Sequence, residues 1–344
     1  MFVRRTLSVP HAVALAVLSV RFFRTVPVAT AFSSFTNGDT SKESILASML
    51  GGDYTNTNNN NNNKNILFHH VDETVSTQEL ARSLLQQRSK DNNSNNNDSI
   101  EQEDYSLLAV TANTQTQGRG TSGREWVSQQ GNVFLTMAVP IRRVPVTITL
   151  LPLQVGVLVA ERLDKLIKGL LLSTTTTTTV LPSVSVKWPN DVLVGNDKIA
   201  GTLIESENVD NDLWMLIGIG VNLLQTPTVP LEGRPATSLQ QLLLEASSGP
   251  NEDNESNTVM TLPETTAQVF AQDLAVAMER WLSDPASTSD AVLQQWKGWA
   301  RFGKAQTLRD TGEQVTPIDV QADGQLKVVG ADGKERLLVA DYLY

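Results

Sequence analysis

Three short segments carry the side chains with which this chain could do chemistry. The first is Gln115-Thr116-Gln117-Gly118-Arg119-Gly120-Thr121-Ser122-Gly123-Arg124-Glu125-Trp126. Its three glycines free the backbone to fold around an anion and present amides to it. Arg119 and Arg124 add planar, permanently charged forks suited to phosphate or carboxylate, and Trp126 offers a flat face to a base. The segment reads equally as a solvated Gly/Arg loop whose tryptophan caps the core. The second is Lys187-Trp188-Pro189-Asn190-Asp191, followed by Lys198-Ile199-Ala200-Gly201-Thr202-Leu203-Ile204-Glu205. Lys187 ends a predicted buried strand, where an ammonium needs an anionic partner. Pro189 and Asn190 make a tight turn that sets its direction. Gly201 in mid-strand implies close approach of a ligand or another backbone. The plain alternative is a hairpin whose lysine snorkels to water. The third is Gly218-Ile219-Gly220-Val221-Asn222. It lacks the spacing and βαβ setting of a dinucleotide fingerprint, and alone it reads as a tight strand end. Asn222 could pair its amide with an adenine edge.

Composition narrows what these residues can do. The 344 residues include no cysteine, so disulfides, thiolate nucleophiles and cysteine-ligated zinc are excluded. The three histidines are His11, His69 and His70. No imidazole base follows them, so a Ser-His-Asp triad spread along the chain is excluded. What remains is a set of cations, backbone amides, an indole and a carboxamide, with no obvious nucleophile. That is the equipment of a site that binds a nucleotide and lets two bound substrates react by positioning and charge stabilisation. A formal net charge of -10 argues against general nucleic-acid affinity, which needs a basic footprint.

The elements that must position these residues lie between low-complexity stretches. Ser76-Thr77-Gln78-Glu79 has the pattern of a capping box, and Leu80, Ala81, Leu84 and Leu85 follow at helical spacing. Strands are predicted over 106–112, 132–140, 184–187, 191–194, 198–205 and 213–221. In the second of these Val133, Leu135, Met137 and Val139 share a face. Helices are predicted over 150–169 and 263–282. Two hairpin signals, Asp323-Gly324 and Asp332-Gly333, make 316–344 a small β unit. Strands and helices mix without a regular βαβ rhythm, which predicts an α+β domain with a mixed, largely antiparallel sheet. The Asn-, Thr- and Ser-rich stretches cannot bury enough apolar surface to order themselves and are expected to be insertions. The first 38 residues hold Arg4, Arg5, Arg21 and Arg24, no acidic residue and a short apolar run, as organelle addresses do.

In order and spacing the motifs resemble those of the biotin–protein ligases (holocarboxylase synthetases), specifically the monofunctional type without a DNA-binding domain. The glycine–arginine loop at 118–126, the complete Lys-Trp-Pro-Asn-Asp block, the Lys-x-Ala-Gly-x-Leu-x-Glu block at 198–205 and the Gly-x-Gly-x-Asn at 218–222 carry the likeness. The resemblance implies a class II synthetase-like ligase domain followed by a small SH3-like β domain. It divides the chain into a leader (1–38), an Asn-rich linker (39–65), a catalytic domain (66–283, with inserts 88–104, 173–179 and 246–258) and a C-terminal β domain (295–344). It implies a ligase that uses biotin, ATP and Mg2+. Biotin carboxylate attacks the α-phosphate to give biotinyl-5'-AMP, and a lysine of a biotin carboxyl carrier domain, as in acetyl-CoA carboxylase, then takes the biotin. By motif position, Ser76, Thr77, Gln78 and Gln115 would hold the ureido ring, with Gly118, Gly120, Thr121 and Gly201 also around biotin. Arg119 and Lys187 would bracket the carboxylate and α-phosphate as the catalytic cations. Arg124, Trp126, Lys198 and Asn222, together with Arg119, would hold ATP. Metal ligands are not implied. No nucleic acid or membrane is implied as a partner, and residues 1–65 show no helix-turn-helix. The leader implies a plastid or mitochondrion, with the plastid preferred; without a working leader the chain would be cytoplasmic. Many family members carry further basic residues where this chain has Thr121-Ser122. A lipoate–protein ligase or lipoyl/octanoyl transferase of related fold is the alternative enzyme, and a biotin sensor without turnover the alternative class.

Overall fold

The computed structural model describes residues 65–94, 107–172, 183–228, 235–247, 261–308 and 311–339. The expected leader, the Asn-rich linker up to residue 64 and most of the three expected inserts lie outside the described residues. The chain forms β1 (Ile66–Thr74), α1 (Thr77–Ser94), β2 (Leu107–Gln115), β3 (Val133–Pro140), α2 (Leu151–Leu172), β4 (Val184–Lys187), β5 (Asp191–Val194), β6 (Asp197–Val209), β7 (Asp212–Val221), α3 (Leu239–Ser247), α4 (Thr266–Ser283) and α5 (Ser289–Trp299). Four short strands follow: β8 (Gln306–Thr307), β9 (Gln314–Val320), β10 (Leu326–Gly330) and β11 (Glu335–Leu338).

Seven strands form one sheet in the order β1-β2-β3-β7-β6-β5-β4. Only β1 and β2 run parallel, and α1 connects them. The remaining pairs are antiparallel, so the sheet is mixed and largely antiparallel, as expected for an α+β domain.

Alternation along the strands divides the sheet into two faces. On one face Leu135, Met137 and Val139 of β3 and Ile217, Ile219 and Val221 of β7 join the main core, which α2 and α4 cover. On the other face Leu108, Val110, Ala138, Trp214 and Leu216 pack beneath Ala81 and Leu85 of α1. Each fully buried leucine or isoleucine here contributes roughly 1.5–3 kcal/mol relative to exposure. α1 covers the second face only in part. At its N-terminus, Thr77, the β7 residues on that face change from Trp214 and Leu216 to Gly218 and Gly220, and the sheet is left open to a cavity.

Several elements differ from the sequence expectation. β1 was not anticipated: it is an edge strand with Phe68, His70 and Asp72 exposed, so it lacks a clear apolar stripe. Asn65 belongs with it, since its carbonyl accepts from Leu107 N and its amide reaches Glu279 Oε1 at 3.0 Å. α1 runs on to Ser94, into the insert expected at 88–104. Helices α3 and α5 were also not anticipated. α5 is capped by Thr288, whose Oγ1 accepts from Ala291 N, and it buries Val292, Leu293 and Trp296. The capping box is incomplete. Ser76 Oγ accepts from Gln78 N at 3.3 Å, while Glu79 turns to Arg82 and Arg119.

β8 to β11 form a small antiparallel sheet in the order β11-β10-β9-β8, with both Asp-Gly hairpin turns present. The β9–β10 turn touches the large domain. Trp188 Nε1 donates to Gly324 O at 2.9 Å. Gly324 has φ +85°, and a Cβ there would lie 2.9 Å from Thr149 O. Gly324→Ala is therefore expected to lower stability by about 1–3 kcal/mol, the range for left-handed backbone forced on a non-glycine residue. Urea unfolding of the variant beside wild type measures this; equal midpoints would show that the turn is not held as described.

Candidate active site

The open part of the sheet face is the floor of a cavity of about 570 Å3. Cross-strand register builds the floor. Lys187 pairs with Asp191, Asp191 with Gly201, Gly201 with Gly220, and Gly220 with Phe134. Directly opposed residues of antiparallel strands point to the same face. One row across five strands therefore reads lysine, aspartate, glycine, glycine, phenylalanine, and all five line the cavity. The two glycines at its centre make room for an indole. A Cβ on Gly220 would lie 2.3 Å from the Trp126 ring, and one on Gly201 would lie 3.0 Å from it. Lys198 Nζ stands 5.2 Å from the Trp126 ring centroid and pairs with Asp191 at 2.6 Å.

Along β7 the same face runs Gly218, Gly220, Asn222, a span of about 13 Å at strand rise. At one end Gly218 accommodates Gln78, whose Cδ would lie 3.0 Å from a Cβ. Gln78 Nε2 donates to Leu203 O and Leu216 O at 3.1 and 3.2 Å. Beside it, Gln115 Oε1 accepts from Thr77 N at 2.8 Å and from Thr77 Oγ1 at 3.2 Å, and Thr136 Oγ1 donates to Thr77 Oγ1 at 2.9 Å. Gln115 Nε2 donates to Ser128 Oγ, which donates to Trp126 O, both at 3.0 Å. At the other end Asn222 is 1% exposed and donates Nδ2 to Thr237 O at 3.1 Å. Its Oδ1 and the Trp126 Nε1 are buried without a hydrogen-bond partner among the described residues. Leaving such a group unpaired costs roughly 1–3 kcal/mol.

The cations are arranged unevenly. Lys187 is 7% exposed at the end of β4, followed by a cis Trp188-Pro189 bond. Asn190 secures that turn to β6 through Nδ2 to Thr202 O at 2.6 Å and Thr202 N to its own carbonyl at 3.1 Å. Arg119 is held by carboxylates: its Nη2 lies 2.9 Å from Glu79 Oε1 and 2.8 Å from Glu205 Oε2. Arg82 shares both acids and adds Glu207. Burial opposes the Arg82 charge, but the hydrogen bonds to Glu79, Glu207 and Glu205 outweigh it and raise its pKa. The Arg82 and Gln86 hydrogen bonds in turn hold Glu207 below the usual carboxylate range. Arg124 is exposed, and its side chain folds back on Thr121, with Nη2 2.7 Å from Oγ1 and Nε 3.1 Å from the carbonyl. Among the described residues no group of three or more His, Cys, Asp or Glu is placed to hold a metal ion.

Of the residues singled out from sequence, Ser76, Thr77, Gln78, Gln115, Arg119, Gly120, Thr121, Arg124, Trp126, Lys187, Lys198, Gly201 and Asn222 all line this one cavity. Gly118 does not. A Cβ there would lie 2.4 Å from Trp126 O and 2.5 Å from Ser128 Oγ, so it serves the close packing of its own loop. The acids Glu79 and Glu205 and the hydroxyls Thr136 and Ser128 were missed. Glu205 closes the Lys-x-Ala-Gly-x-Leu-x-Glu block, which was a signal, and Glu79 was claimed by the capping pattern.

Comparisons with known proteins find relatives among ligases. A family model described as the biotin/lipoate A/B protein ligase family matches residues 84–222. The bifunctional ligase/repressor BirA of Escherichia coli K12 is 30% identical over 179 residues, which is 50% of this chain and 50% of that protein. The biotin–[acetyl-CoA-carboxylase] ligase of Paracoccus denitrificans is 29% identical over 212 residues, 59% of this chain and 81% of that protein. The chain thus spans about half the length of the first of these relatives. A biotin protein ligase from Aquifex aeolicus, solved in complex with biotin and ATP, shares the fold with a TM-score of 0.54 at 21% identity, over 82% of this chain and 99% of that one. Over residues 84–222, which hold the sequence motifs gathered along this sheet face, the chain is similar to the biotin/lipoate A/B protein ligase family.

Proposed function

We propose that the chain is a biotin–protein ligase that joins biotin to ATP as biotinyl-5'-AMP and passes biotin to a lysine of a carrier domain of a biotin-dependent carboxylase. The observation that carries this reading is the row Lys187, Asp191, Gly201, Gly220. It sets a buried ammonium in line with two glycines that seat the Trp126 ring on the cavity floor, between two polar ends of different chemistry. The Thr77, Gln78 and Gln115 end offers hydroxyl and carboxamide groups that suit the donors and acceptor of a ureido ring. The Asn222 end offers a lone buried acceptor that suits the exocyclic amine of adenine. The names of the relatives favour biotin, and a competition assay with lipoate separates the two cargoes.

In the first step an oxygen of the biotin carboxylate attacks the α-phosphorus, the bond to the bridging oxygen breaks and pyrophosphate leaves. Two anions must meet, so cations held in a low-dielectric wall lower the barrier. Lys187 is the buried one. Arg119 is anchored through Nη2 to Glu79 and Glu205, which fixes its fork at the cavity rim. In the second step the neutral lysine amine of the carrier attacks the acyl carbon and AMP leaves. The only carboxylate in the Lys187 row, Asp191, is engaged by Lys198. Magnesium would enter bound to the triphosphate.

Lys187→Ala is expected to lower biotin-dependent pyrophosphate release about a hundredfold, equivalent to roughly 3 kcal/mol of transition-state stabilisation. Near-normal release by a folded variant would falsify the assignment. Thr121→Arg is expected to slow dissociation of labelled biotinyl-adenylate about tenfold, because a charge-assisted bond to phosphate replaces a hydroxyl. Equal release rates in a chase would mean that Arg119, Arg124 and Lys187 already retain the intermediate. The Arg-rich, acid-free leader is read as an organelle address, for a plastid before a mitochondrion. Residues 1–38 fused to a fluorescent protein should carry it into such a compartment, and a diffuse cytoplasmic signal would count against it.

A further inference from the structure

Asn132, just before β3, is 2% exposed, and its carboxamide is spent on one short segment. Its Oδ1 accepts from the backbone N–H groups of Leu223, Leu224 and Gln225 at 3.0, 3.1 and 3.0 Å. Its Nδ2 donates to Gln225 O at 2.8 Å. Three consecutive amides converging on one oxygen is the geometry by which backbones bind anions; here a neutral side chain occupies it. Gly131, with φ +89°, brings the grip close: a Cβ there would lie 2.8 Å from Leu224 Cβ.

The gripped segment begins directly after Asn222. β7 ends at Val221, so the strand ladder no longer fixes the chain beyond that point. Asn222 N still donates to Ile199 O and its carbonyl accepts from Leu239 N, while Nδ2 is used on Thr237 O. Only Oδ1 remains, on the residue that joins the end of β7 to the segment held by Asn132.

We infer that Asn132 is a positioning residue for base selection. By holding the three amides after Asn222 it aims Asn222 Oδ1 so that the site accepts a purine with an exocyclic amine and rejects one with a carbonyl there. The inference rests on the proposed reading of Asn222 as the adenine contact. A carbonyl facing that oxygen would set two acceptors against each other in a buried wall, which sites built around a hydrogen bond reject strongly.

The test is kcat/KM for biotin-dependent pyrophosphate release with ATP and with inosine triphosphate. Wild type should prefer ATP at least about tenfold. Asn132→Ala should reduce that ratio about tenfold while the KM for biotin stays within about twofold. Asn132→Asp keeps the acceptor for three amides but sets a second oxygen against Gln225 O, and should give an intermediate ratio. A purely structural role would lower both nucleotides alike; an unchanged ratio in Asn132→Ala, or in Asn132→Asp where the alanine variant does not fold, overturns the inference. A preference lost in Asn222→Ala but kept in both Asn132 variants overturns the inference alone. ATP and inosine triphosphate used alike by wild type overturns the reading of Asn222, and the inference with it.

Discussion

The site depends on an interruption in the packing of one sheet face. Most of that face is filled in the usual way, with Trp214 and Leu216 beneath Ala81 and Leu85. Where α1 begins, the strand residues lose their side chains, and Gly218, Gly220 and Gly201 leave room into which Gln78 and Trp126 pack at the floor of the cavity. The other face pays no penalty for this, since Ile217, Ile219 and Val221 alternate with the glycines and keep the core continuous. A rigid floor and an open hollow thus come from the same strand. The side chains around the hollow are set by register and by the end of a helix, not by loops alone, which is the arrangement that holds reacting groups most accurately.

Charge is managed in keeping with this. On the proposed reading the cavity attracts anions, yet isolated cations in a partly buried wall repel one another. The pairs Glu79–Arg119, Glu205–Arg119 and Asp191–Lys198 give the cations fixed positions and spread the positive potential. Arg82 completes the acid cluster from the helix side. The carboxylates thus orient the cations. Lys187, at the β4 end of the row, precedes a turn secured by the Asn190 carboxamide and the Thr202 amide.

Sequence reasoning reached much of this, for identifiable reasons. β4 and β5 were legible to the residue because Pro189-Asn190 and Gly195-Asn196 punctuate them. β3 was legible because Val133, Leu135, Met137 and Val139 alternate. β1 was not, because one face of an edge strand is wet and its polar residues hide the period. α5 was not, because its apolar residues are few and fall between two better-marked units. Within the site, the residue types and their order were legible, but their pairings were not. Glu79 has a plausible local role as a capping residue, and nothing local reveals that it meets Arg119 forty residues away. The glycines of the Gly-x-Gly pair suggested a tight strand end. Their use is to admit Gln78 and Trp126, which only the folded sheet brings to them.

The bond from Trp188 to Gly324 O reaches across 136 positions, from the residue after Lys187 to the tip of a hairpin in the small C-terminal sheet. It joins two parts of the chain that look separable. A change in that turn would shift the wall of the cavity as well as the hairpin, so variation at the tip is constrained by the chemistry of a site it does not line. The two units therefore cannot drift apart in sequence freely, and a graft of one relative's small sheet onto another's large domain would carry an inherited mismatch to the lysine.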